Sequence, residues 1–135
     1  MNYKNIMVGL CGRGDESAVI LEAIKIANGG HITFIHINDP HAGEMSMMMD
    51  ALDKKITESD VLSWISKVDK FIVENCSILI KSDNSIPKAI YKASEGKDLV
   101  VLGHRKQSFF KENFFDSIDE GIVNKVLCPV LVIPK

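Results

Sequence analysis

Five short runs of β-branched and large apolar residues, separated by stretches with helical spacing, constrain this chain more than any other feature. They are Asn5–Leu10, Ile32–Ile37, Ser77–Ile80, Asp98–Gly103 and Pro129–Ile133. Most are nearly continuous in apolar residues instead of alternating, the pattern of strands covered on both faces, as in a parallel sheet. The segments between them read as helices. The first covers about Glu16 to Asn28, with Ile20, Ile24 and Ala27 on one stripe. Asp15 or Ser17 can cap its start, and Asn28-Gly29-Gly30 can take a positive φ at its end. The second is predicted from Asp53 to Asn75, with Val61, Trp64, Ile65, Val68, Phe71 and Ile72 on one face. The third follows Ser85 as a cap, tolerates Pro87 in its first turn and ends at Gly96. The last covers Ser117 to Leu127, with Ile118, Ile122 and Val126 in register, and Cys128-Pro129 stops it.

A chain that alternates strand and helix in this way must use right-handed crossovers and cover both faces of its sheet. The expected fold class is α/β: one doubly wound five-stranded parallel sheet in a single domain over residues 1–135. In such sheets ligands bind beyond the carboxyl ends of the strands, where the strand order reverses. The loops that matter are therefore 11–17, 38–50, 82–85 and 104–116. The second and fourth are longer than a plain connection requires.

Composition removes several function classes. Sixteen basic against eighteen acidic residues give a net charge of -2, with none of the basic clustering that nucleic-acid binding needs. No apolar run approaches the roughly 18 residues of a membrane span. The first residues run straight into a strand without the apolar core of a secretion signal, so the expected location is the cytoplasm. Three cysteines, Cys11, Cys76 and Cys128, lack C-x-x-C spacing and fit free thiols in a reducing compartment.

The most specific stretch runs from Asp98-Leu-Val-Val-Leu-Gly-His-Arg-Lys-Gln-Ser through Phe115-Asp-Ser-Ile to Cys128-Pro-Val-Leu-Val-Ile-Pro. Here the chain resembles the universal stress protein family, whose signature is an apolar strand ending in glycine, a loop, a helix begun by Gly-Ser or Gly-Thr, and a Cys-Pro-Val-Leu-Val strand. The similarity covers nearly the whole chain and extends to the first strand and to the second, which ends near His36-Ile-Asn. It implies a Rossmann-like fold of the adenine nucleotide alpha hydrolase type, a nucleotide pocket at the strand ends and a homodimer.

That resemblance implies pocket contacts from Leu10 and Cys11 after the first strand and from Ile37 at the end of the second, and Arg13, just before a helix start, is placed to contact an anion. Gly103, His104, Arg105 and Lys106 follow the fourth strand, and Ser117 opens the last helix. ATP-binding members carry G-x2-G-x9-G-[ST], whose glycines let backbone N–H groups approach phosphates at a helix start. In this chain the first glycine is Gly103, the second position holds Lys106, the third holds Asp116, and the hydroxyl is Ser117. Lys106 and Arg105 attract phosphate only as mobile charges, while Asp116 opposes it and serves equally as an N-cap. The aspartate that nucleotide-holding members have after the first strand is Cys11 here, a poor acceptor by comparison. No cofactor is expected at high affinity; ATP or AMP binding would be weakened.

Other readings have less to stand on. Gly12-Arg-Gly-Asp-Glu-Ser matches neither phosphate-loop pattern and reads as a flexible strand-to-helix turn. His31 and His36 face opposite sides of one strand and cannot share a metal. Cys11 with His104 supplies two ligands where a structural zinc takes four. Met45, Met47, Met48 and Met49 suit an adaptable surface. No catalytic constellation is present. The expected function is a non-enzymatic stress-associated binding or interaction module, paired along Pro129–Pro134 as a homodimer and open to a further protein partner. The alternatives are an ATP switch or slow hydrolase using Arg13, Arg105, Lys106 and Ser117, and a thiol or metal sensor on Cys11 and His104.

Overall fold

The computed structural model describes residues 3–12, 16–41, 54–104 and 117–134. The strands are β1 (Asn5–Gly9), β2 (His31–Asn38), β3 (Cys76–Ser82), β4 (Leu99–His104) and β5 (Val130–Pro134). They are joined by helices α1 (Glu16–Ala27), α2 (Glu58–Val68), α3 (Ile86–Ala93) and α4 (Ser117–Lys125). All four strand pairings are parallel, in the order β3-β2-β1-β4-β5. The order reverses between β1 and β4, so their carboxyl ends form the switch point expected of a doubly wound sheet.

The near-continuous apolar runs make physical sense here, because each central strand serves two cores. Ile6, Val8, Ile32, Phe34 and Val101 pack under α1 and α2, with Val19, Ile20, Val61 and Ile65 from the helices. Met7, Ile35, Ile37, Val100 and Leu102 pack under α3 and α4, with Ile90 and Ile122. Burial of such side chains contributes roughly 1.5–3 kcal/mol each. The sheet is therefore anchored from both sides.

The first helix ends where its small residues allow, with Asn28 at φ 44° and Gly29 at φ 91°. Ser85 caps α3 as the sequence indicates, its side chain accepting from the Lys88 N–H, but α3 stops at Ala93, short of Gly96. Of the two candidate caps for α1, Ser17 already lies inside the helix, and Asp15 is outside the described residues. The long second helix is corrected more strongly. Residues 54–57 are not helical, and α2 starts after Thr57 and Asp60 have closed a capping box. It ends at Asp69, which turns to extended backbone while its carboxylate accepts the Phe71 N–H at 2.9 Å. That local bond competes with helix propagation. Only a short 3-10 turn, Ile72–Asn75, follows. Phe71 consequently leaves the core face and is 84% exposed.

Candidate functional site

The carboxyl ends of β1 and β4 lie side by side, Gly9 opposite Leu102, so the next residues, Leu10 and Gly103, lead into the reversal point. Leu10 has its main chain committed to β2. Its N–H donates to the Ile35 carbonyl at 2.9 Å, and its own carbonyl lies 2.7 Å from His36 Nδ1. Leu10 and His36 are both buried. The Leu10 side chain joins the α1/α2 core, whereas Ile37 joins the α3/α4 core. The side chains of these two expected pocket residues thus pack into different cores, on opposite faces of the sheet.

Cys11 is exposed and forms no disulfide. Its thiol donates to Glu16 Oε1 at 3.3 Å, and the Gly12 N–H donates to the same oxygen at 2.8 Å. Glu16, the first residue of α1, is buried. A carboxylate is therefore present beside the position where the sequence replaces the family's aspartate with Cys11, but it arrives from the helix and turns back onto the loop. Sequence reading missed it because Glu16 looks like an ordinary acidic residue in a first helical turn. The Gly12-to-Glu16 spacing across a strand-to-helix turn is the available signal.

Gly12 has φ +76°, and a Cβ built on it would stand 3.1 Å from Ile56 and 3.4 Å from Trp64. The loop after β1 is wedged against the segment that precedes α2 and against α2 itself. That segment is clipped in place: Asn38 Nδ2 donates to the Ile56 carbonyl and Asn38 Oδ1 accepts the Ile56 N–H, each at 2.9 Å. His36 Nε2 lies 3.1 Å from the same Asn38 Oδ1. A buried polar chain, Leu10–His36–Asn38–Ile56, thus fixes the β2 side of the site. His36 and Asn38 were not among the expected site residues.

Gly103 lies in β4 opposite Ile133, His104 ends β4 opposite Pro134, and Ser117 opens α4. Arg13, Arg105, Lys106, Asp116 and the Met45–Met49 cluster lie outside the described residues. Burial pushes the thiols of Cys76 and Cys128 above their ordinary range. Among the described residues, no three His, Cys, Asp or Glu side chains converge to hold a metal ion. None of their helices is long and apolar enough to cross a membrane.

Over residues 2–134 the chain matches the Universal stress protein family. It belongs to that family. Among solved structures, this universal stress protein is similar to one crystallised in complex with cAMP, at 12% identity and TM-score 0.66, with 98% of each chain covered. It is also similar to the universal stress protein UspA from Lactobacillus plantarum, at 18% identity and TM-score 0.65, covering 98% of this chain and 99% of that one. A third relative, the universal stress protein from Archaeoglobus fulgidus in complex with dAMP, has 17% identity and TM-score 0.58, with 98% and 99% covered. At such identities these likenesses establish the shared fold. No curated protein sequence matches the chain.

Proposed function

We propose that this universal stress protein is a non-enzymatic binding and interaction module that works as a homodimer and whose adenine-nucleotide pocket is degenerate. The observation that carries this reading is the buried Glu16 carboxylate held against Cys11 and Gly12 at the end of β1. It adds negative charge, already engaged in internal hydrogen bonds, at a strand end that a nucleotide must approach. Lys106 and Asp116 in place of two glycines weaken the phosphate side in the same sense.

The cAMP and dAMP complexes of two relatives set the ligand class to test. Isothermal titration with Mg-ATP, AMP and cAMP is expected to give no Kd tighter than tens of micromolar, about -6 kcal/mol. Asp116→Gly should improve ATP binding by removing a carboxylate and restoring close backbone approach. Saturation of the unmodified protein at sub-micromolar ATP would overturn the proposal. It would favour an ATP switch or slow hydrolase in which Arg13, Arg105, Lys106 and Ser117 reach the phosphates.

The dimer reading is supported by β5, which lies at the sheet edge and carries no charge between Pro129 and Pro134. An uncovered apolar edge invites strand pairing. A two-fold partner would satisfy it symmetrically, and the prolines would confine the pairing to the residues between them.

A further inference from the structure

The helices α3 and α4 run against the strand direction, so they finish at the end of the sheet opposite the candidate site. Between them lies an open cleft of about 400 Å³, lined by Lys88, Tyr91, Lys92, Lys125 and Leu127. Lys88, Tyr91 and Lys92 are spaced to share one face of α3. Lys125 ends α4, and Leu127 follows it in the chain. Pro87 packs against Gly121 and brings the two helices together toward the other end, and the buried Ile90 and Ile122 share the core on this face of the sheet.

The lining combines positive charge with exposed apolar surface. Leu127 is 91% exposed and Tyr91 44%. The three lysines are exposed, and among the described residues no acidic side chain lines the cleft and none pairs with any of the three. Lys92 and Lys125 stand in last helical turns, where the helix dipole favours a cation. Lys88 has no such reason. It lies in the first turn of α3, where a positive charge opposes the dipole.

We propose that this cleft docks an acidic peptide segment of a partner protein, with one apolar side chain of that segment seated between Tyr91 and Leu127. The charge selects the partner: carboxylates on the segment would meet Lys88, Lys92 and Lys125 from both walls. The shape and the apolar rim favour a peptide over a small anion, which would leave Leu127 and Tyr91 unused. The concavity favours it over a flat lipid surface. The inference does not depend on whether the strand ends hold a nucleotide or whether β5 pairs with a second copy.

The test is selection from displayed short random peptides on the wild-type protein, after depletion on a Lys88→Glu/Lys92→Glu/Lys125→Glu variant. Enriched peptides should be rich in Asp and Glu around a Leu or Phe. A synthetic peptide of the enriched sequence, followed by fluorescence anisotropy, should lose about tenfold or more in affinity on charge reversal and several-fold with Leu127→Ser. Amide shifts on titration should concentrate at residues 88–92 and 125–127. All four substituted side chains are exposed, and circular dichroism of each variant confirms the fold. No enrichment, enriched peptides without acidic residues, or an affinity unchanged in either variant would overturn the proposal. So would lysine-dependent binding to phosphatidylserine vesicles tighter than to the peptide, or lysine-dependent self-association of the protein.

Discussion

His36 Nδ1 lies 2.7 Å from the main-chain oxygen of Leu10, so a buried ring on β2 holds the end of β1. Its other nitrogen faces Asn38 Oδ1, whose orientation is fixed because the Asn38 amide pairs with both backbone groups of Ile56. A neutral imidazole donates to one of these two oxygens; a doubly protonated ring donates to both. Either way, three elements of the site meet on two side chains.

Removing that junction should be costly. Asn38→Leu would strip the Ile56 N–H and carbonyl of their partners and leave His36 Nε2 against an apolar group. Buried polar groups without partners cost about 1–3 kcal/mol each, so a loss of roughly 2–4 kcal/mol is expected. Urea unfolding at fixed pH should show a lower midpoint with an unchanged slope. A loss below about 0.5 kcal/mol would mean the clip is ornamental.

Cys11 should be the first thiol alkylated in the folded protein. It is exposed, whereas Cys76 and Cys128 are partly covered and burial raises both thiols, which lowers their thiolate fraction near neutral pH. Limited iodoacetamide treatment followed by peptide mass spectrometry reads the order directly. Equal labelling of all three would remove the basis for any thiol-sensor role.

Light scattering at micromolar concentration should report twice the 15.0 kDa chain mass. Val130→Lys or Val132→Lys should lower that mass, because each places a charge on the edge strand β5. A monomer in the unmodified protein would exclude pairing along this edge.

The start of α2 should loosen in acid. Hydrogen bonds from the Thr57 backbone and then its side chain hold the Asp60 carboxyl below its ordinary range, with Lys54 adding to the shift. A carboxyl depressed in the folded state contributes stability above its unfolded value and loses that contribution as pH falls through the folded one. Protection of amides 58–61, taken relative to the intrinsic exchange rate at each pH, should therefore fall below the usual carboxylate range. Asp60→Asn should flatten that dependence, and an unchanged profile would contradict the capping role.

The strand pattern was legible because both faces of the central strands are covered, which leaves near-continuous apolar runs at residues 6–8 and 99–102. The β5 strand was legible from a similar run, but its edge position came from the family resemblance, since an apolar run does not reveal strand order. Helix α2 was not, because Val68, Phe71 and Ile72 keep helical spacing across Asp69, and only the carboxylate's bond to the Phe71 N–H breaks it. Glu16 escaped notice because its partners, Cys11 and Gly12, lie in the preceding loop and not on its own helix. His36 was weighed only as a metal ligand, since spacing along one strand does not reveal the Leu10 carbonyl on its neighbour.

The central placement of β1 also has a consequence during synthesis. Ile6 pairs with Ile32 on one side and with Leu99 on the other, and the Asp98 carboxylate accepts the N–H groups of Lys4 and Asn5, each at 2.9 Å. One neighbour of β1 thus leaves the ribosome early, while the other follows only after α2, β3 and α3. A nascent chain carrying the first three strands has an unpaired flank along Ile6-Met7-Val8, a template for stray pairing until Asp98 and Leu99 emerge. Ribosome pausing before that point would lengthen the interval in which a chaperone must guard the growing polypeptide.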